Sequence, residues 1–157
     1  MGNTLMSMNV QLENRLVAQT TYCAMGTVMT HKAFGLYAED SLAAVCREVA
    51  RIEGLLSRFI PDSEISRVNG SAGIKSEKVG LETYEVLSKA IEFSRCVPGC
   101  FDVTMEPLVT LWNMGKKSYA QPAESSIKQV LPLVNYRDLI LDPWEITAGL
   151  RNVGQSI

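Results

Sequence analysis

Between Gly99 and Trp112 the sequence sets a glycine, an aromatic ring, a carboxylate, a hydroxyl and a second carboxylate in close succession, ahead of an apolar run. A plain core helix has no need of that order. A loop that turns at Gly99, presents Phe101 and Asp102 and then enters a helix does. Gly99 can take a positive φ that a Cβ would disfavour. Asp102 or Thr104 can cap a helix over Thr104 to Trp112, with Pro107 in its first turn. The free N–H groups and the positive dipole end would then suit a phosphate-bearing ligand. The same residues equally suit a buried loop whose polar groups are satisfied locally, so the segment alone leaves both readings open.

The elements that must position this loop follow from periodicity. Residues 1–14 read as a flexible leader. Arg15 to Cys23 reads as a strand, Met25-Gly26-Thr27 breaks it, and Val28 to Tyr37 reads as a second strand, which makes a hairpin. Asp40 opens a helix with Leu42, Val45, Cys46, Val49, Ile52 and Leu56 on one face, ended by Pro61. Ser63 to Asn69 reads as a short turn capped by Asp62 or Ser63, with Gly70 as its stop. Ile74 to Val79 reads as a short strand and Leu81 to Cys96 as an amphipathic helix stopped by Pro98-Gly99. Lys116 to Glu124 reads as a loop. Ser125 or Ser126 caps a helix through Val134, and Leu139-Ile140-Leu141 forms a strand before Asp142-Pro143. Helices and strands mix without regular alternation, which predicts an α+β fold.

At 157 residues, 46% hydrophobic and 20% charged, the chain has the composition of a globular domain. A net charge of −2 offers no basic excess for a nucleic-acid backbone. No apolar run reaches the length of a membrane span. Neither a secretory signal nor a convincing lipidation pattern marks the first residues. The four cysteines, Cys23, Cys46, Cys96 and Cys100, make no C-x-x-C pair, and there is one histidine, which argues against a zinc site. Cys46 on the apolar stripe reads as a reduced core thiol, and a cytoplasmic location is the resulting expectation.

Several segments, in order, resemble the flavin transferases of the ApbE type. Met25-Gly26-Thr27 after a strand resembles the family's opening signature. Leu56-Ser57-Arg58-Phe59 through Arg67-Val68-Asn69 resembles its second. Gly99-Cys100-Phe101-Asp102-Val103-Thr104, then Pro107-Leu108 and Leu111-Trp112, resembles its third. Val130 to Tyr136 and Leu139 to Asp142 resemble the strand entry that follows. The resemblance implies an ApbE-like mixed sheet with packed helices. It also implies an FAD:protein FMN transferase, which uses magnesium to cleave FAD, attaches FMN to a threonine of a target flavoprotein and releases AMP.

Carried over residue by residue, the resemblance makes Met25 a flavin-contacting thioether, although a buried core methionine is the commoner fate. Phe59 stands where the family often has tyrosine and would stack on a ring; a core aromatic closing the first helix is the plainer alternative. Asn69 could bond the ligand through its amide or serve only as a helix C-cap. Cys100, Phe101 and Asp102 match the segment lining the dinucleotide, with Asp102 accepting from a ribose hydroxyl or an adenine amine. Cys100 is not expected to be a nucleophile, since no base accompanies it. Thr104 suits a cap, and Lys116-Lys117 a solvated loop. His31, without a motif match, reads as a strand-surface imidazole.

In the family a glycine-rich Asp-Leu-Gly-Gly segment follows the strand entered here, and a later segment supplies the magnesium ligands. The sequence reaches Val153-Gly154-Gln155-Ser156-Ile157, a typical lead-in to the first of these. It therefore resembles the N-terminal half of the enzyme, cut before the second half. The expectation is a chain inactive alone, with catalytic residues unassigned, no metal ligands of its own and an open apolar sheet edge near Leu139–Leu141 through which it self-associates. A fragment, a split binding half and a degenerate remnant remain as alternatives.

Overall fold

The computed structural model describes residues 17–114 and 121–157. The predicted leader and the Lys116-Lys117 pair lie outside the described residues. The chain divides into two compact units, one reaching Leu55 and the other running from Leu56 to Ile157.

In the first unit, β1 (Val17–Ala24) pairs antiparallel with β2 (Thr27–Phe34), Ala24 opposite Thr27. Two residues join them, Met25 at φ 50° and Gly26 at φ 72°. Positive φ at both central positions is the geometry of a type I′ turn, whose twist matches that of the flanking strands. The predicted hairpin thus forms. Helix α1 (Ala38–Leu56) follows, with Glu39 and Asp40 in its first turn where they complement the dipole. The small core here is Ala18, Ala38 and Leu42, with Ala33 packed against it. Cys46 is half-buried rather than fully enclosed.

The second unit opens with α2 (Glu64–Gly70), capped as expected by Ser63, whose Oγ accepts from the Ser66 N–H at 3.0 Å. The helix α3 spans Leu81–Cys96, as the periodicity predicts. Its Leu87 enters a core with Ile65, Val68, Ala72, Val79, Leu139, Ala148 and Leu150. The sheet has the order β3-β5-β4, all antiparallel, where β3 is Glu77–Lys78, β4 is Leu139–Asp142 and β5 is Thr147–Leu150. Only the end of the predicted Ile74–Val79 strand pairs. The central strand β5 is not foreseen by the sequence reading. Its hairpin with β4 turns on Asp142, whose Oδ1 accepts from the N–H groups of Trp144 at 2.8 Å and Glu145 at 3.0 Å.

Helices α4 (Glu106–Leu111) and α5 (Glu124–Val130) depart from expectation. α4 begins after Thr104, with Met105 at its N-cap and no side-chain cap, because Asp102 and Thr104 spend their side chains elsewhere. α5 likewise starts at Glu124 behind Ala123, ahead of the predicted serine caps. It passes into a 3₁₀ turn at Leu131–Leu133, and a second such turn, Tyr136–Asp138, leads into β4. The edge strand β4 pairs only with β5 among the described residues.

Candidate functional site

In the second unit the Gly99 loop is built as its residue types suggest, but for a different reason. Gly99 holds φ 79°. Asp102 Oδ1 accepts from the Thr104 N–H at 2.8 Å and from Thr104 Oγ1 at 2.6 Å. Its Oδ2 accepts from the Tyr136 N–H at 3.0 Å. The Thr104 hydroxyl oxygen accepts in turn from the Asn135 N–H at 2.8 Å. Asn135 Nδ2 donates to Asp138 Oδ2, which also accepts from Asn152 and Gln155. The carboxylate thus stitches the loop to the Asn135–Tyr136 segment. The locally satisfied reading of this loop is realised, and the capped helix with outward N–H groups is not. α4, six residues long, begins beyond it.

What the stitching leaves outside is the rest of the loop. Cys100 is exposed, as is Phe101 at 43%. The Phe101 ring meets Phe93 edge-on, centroids 6.3 Å apart. A rigid base under an exposed ring is a surface on which a flat ligand can stack.

Phe59 is not the core aromatic that closes a helix: it is 79% exposed. The Arg58 guanidinium lies over its ring at 4.3 Å from the centroid, and Arg58 also pairs with Glu106 at the start of α4. One ring face is therefore covered by a cation held in place by Glu106. Asn69 is not a C-cap either, since Ser71 takes that position. Its side-chain amide bonds the backbone of Ile157 in both directions, Nδ2 donating to O at 3.2 Å and Oδ1 accepting from N at 2.9 Å.

In the first unit, Met25 sits at the hairpin tip, 49% exposed, which removes the buried-core alternative. Its N–H donates to Glu53 Oε1 at 2.7 Å, so α1 holds the tip. His31 is half-buried, stacked on Tyr22 with its Nε2 3.1 Å from the phenol oxygen. Burial pushes the Tyr22 phenol above its ordinary range, and the neighbouring Cys46 thiol adds to the shift.

Within the second unit, then, the structure links the Phe59 corner to α4 through Arg58 and Glu106, and the Asp102 loop to Tyr136. Met25 belongs to the other unit. Arg58 and Tyr136 escape sequence reasoning: Arg58 lies inside the second signature beside an aromatic, which could have drawn attention to it, whereas Tyr136 contributes a backbone N–H that no residue type announces. Among the described residues no three His, Cys, Asp or Glu side chains gather to hold a metal ion. Magnesium therefore has no fitting ligand set here.

The ApbE family model matches residues 25–157. An FAD:protein FMN transferase of Klebsiella pneumoniae (strain 342) is 26% identical over 124 residues, which is 78% of this chain and 39% of the relative. One from Haemophilus influenzae is 26% identical over 106 residues, 66% of this chain and 30% of the relative. The chain thus spans well under half the length of these curated relatives. The solved ApbE protein of Thermotoga maritima superposes with TM-score 0.80 at 21% identity, over 90% of this chain and 46% of that one. The apo flavinyl transferase ApbE of Pseudomonas stutzeri gives TM-score 0.76 at 22% identity, over 94% and 50%. These structures share the mixed α+β fold, and with the family model spanning most of its length the chain belongs to the ApbE family.

Proposed function

We propose that this chain supplies part of the flavin site of an FAD:protein FMN transferase. The observation that carries the reading is the family match across residues 25–157, which takes in every signature named above. Met25, Phe59, Asn69, Cys100, Phe101 and Asp102 are the residues assigned to FAD. Met25, Phe59 and Phe101 offer exposed polarizable or aromatic faces suited to a planar ring. Asp102 and Asn69 act mainly by fixing the backbone from which those faces project, since their side-chain oxygens already accept protein N–H groups. In the whole enzyme a threonine oxygen of an acceptor flavoprotein forms the bond to the FMN phosphorus as the bond to AMP breaks. Magnesium neutralises the pyrophosphate in that chemistry. Its ligands are assigned to residues other than those described here, and no step is routed through them.

The lack of a metal ligand set among the described residues favours a second reading for the chain taken alone, a non-catalytic FAD-binding half. One experiment addresses both. The 157-residue chain is titrated into FAD and flavin fluorescence is followed, then the mixture is incubated with magnesium and an acceptor flavoprotein subunit and run on a denaturing gel. Saturable quenching without a fluorescent acceptor band is expected. A band dependent on this chain makes it a complete catalyst, and absence of saturable FAD binding overturns both readings.

A further inference from the structure

We infer that the second unit carries a binding pocket for a small planar phosphate monoester of the nucleoside monophosphate class. The pocket is a cavity of about 470 Å³ lined by Ile91 and Arg95 of α3, Tyr136 and Arg137 of the second 3₁₀ turn, and Leu139 and Leu141 of β4. That volume lies in the range of small-molecule sites. None of the six residues assigned to FAD lines it.

Its chemistry is divided. Ile91, Leu139 and Leu141 make an apolar floor, anchored in the core through Leu139, which is 5% exposed. Arg95 and Arg137 bring two cations to the same concavity. Among the described residues neither has a carboxylate within ion-pair distance. The nearby Asp138 accepts from Asn135, Asn152 and Gln155 and pairs with Arg151 instead. Glu92, one turn from Arg95, is paired with Lys89. Two guanidinium groups facing one cavity without an internal counter-ion repel each other, and an anion between them reverses the sign of that interaction. A phosphate monoester carries close to two negative charges at neutral pH and matches the guanidinium fork. The planar part of the ligand has its own surface, because the Arg137 guanidinium lies 4.8 Å from the Tyr136 ring centroid and forms with it a stacked, flat wall. The apolar floor favours a body larger than inorganic phosphate.

The test titrates the full chain with AMP by calorimetry, beside adenosine and inorganic phosphate. AMP is expected to saturate at submillimolar concentration, with each fragment about tenfold weaker or more, because each keeps only one half of the contacts. Arg95→Gln and Arg137→Gln should each weaken AMP about tenfold. Phe59→Ala, which touches the assigned flavin surface and not this pocket, should leave AMP affinity unchanged, so failure of the flavin reading is distinguishable. Arg137→Lys keeps the charge and loses the flat fork, and an intermediate loss is expected. Circular dichroism verifies the fold of each variant. No AMP saturation up to about 5 mM, or arginine variants that bind like the parent, overturns the proposal.

Discussion

The hairpin unit and the sheet unit of this chain are enclosed to very different degrees. In the hairpin unit the core cluster is Ala18, Ala38 and Leu42, while Val28, Phe34, Leu36 and Tyr37 are exposed, the last three at 68–82%. In the sheet unit Val68, Leu87 and Ala148 are at most 1% exposed and sit among five more buried apolar residues. An isolated two-stranded hairpin is marginal in water, and a helix laid on it through alanines adds little burial. The sheet unit has the three strands and packed helices that independent stability requires. The difference teaches that the flavin-facing Met25 hangs on a weakly enclosed element, while Phe59, Phe101 and Asp102 stand on a well enclosed one.

Core truncation breaks the comparison most sharply. Leu87→Ala is expected to cost about 2–5 kcal/mol in the sheet unit. Leu42→Ala, in a sparser core, should cost visibly less. Urea unfolding monitored by hydrogen exchange separates the units: β1–β2 amides should exchange first in the parent, and Leu87→Ala should collapse the protection of β4–β5. Equal losses for the two variants would mean the units are equally enclosed.

Removing the Asp102 carboxylate comes next. Asp102→Ala orphans the N–H groups of Thr104 and Tyr136 and is expected to cost about 1.5–3 kcal/mol. His31→Ala gives up one bond to Tyr22 on a strand surface and should cost less than about 1 kcal/mol. FAD affinity measured on both should fall more for Asp102→Ala, because the Phe101 ring rests on that loop. If His31→Ala loses as much affinity while folded, the flavin surface is misplaced.

A smaller effect, of the opposite sign, sits at Met25. Its φ of 50° is a region that non-glycine residues avoid at a cost of about 1–2 kcal/mol. Met25→Asn creates an Asn-Gly turn, which should raise the stability of the hairpin unit by about 1 kcal/mol. The same variant should weaken FAD, since it deletes the thioether. Gain in both properties would show that the methionine is not retained for a ligand.

The smallest effect is acid loss at β3. A hydrogen bond from the Ser71 hydroxyl, then the pair with Lys75, holds Glu77 below the ordinary glutamate range. Its contribution is therefore present above the unfolded-state value and is lost as pH falls through the depressed one. Glu77→Gln should flatten the acid limb of a stability–pH curve without moving the hairpin unit's exchange rates.

Local grammar was legible where one element decides its own fate. The Leu81–Cys96 helix, the Ser63 cap and the Met25-Gly26 turn depend on nearby residues, and the sequence marks them. β5 was missed because Thr147-Ala148-Gly149-Leu150 has little strand character of its own; neighbours on both sides make it a strand. The start of α4 was misplaced because Asp102 and Thr104, good local caps, instead bind a segment more than 30 residues further along. The site was legible as residue types and not as roles: Asn69 and Asp102 bond protein backbone, a choice that only long-range pairing reveals.

The Asn69 amide treats Ile157 as a neighbouring strand would, giving and taking one hydrogen bond with a single peptide unit. A clasp of that kind reads the main chain and is blind to the side chain. Position 157 is thus free to vary in size and polarity, with proline barred because it brings no N–H to the pairing. Position 69 has the reverse rule. Aspartate, isosteric but lacking the donor, would leave the Ile157 carbonyl unanswered and place a charge against it. The join between the short helix and this distant residue is therefore specified from one end only.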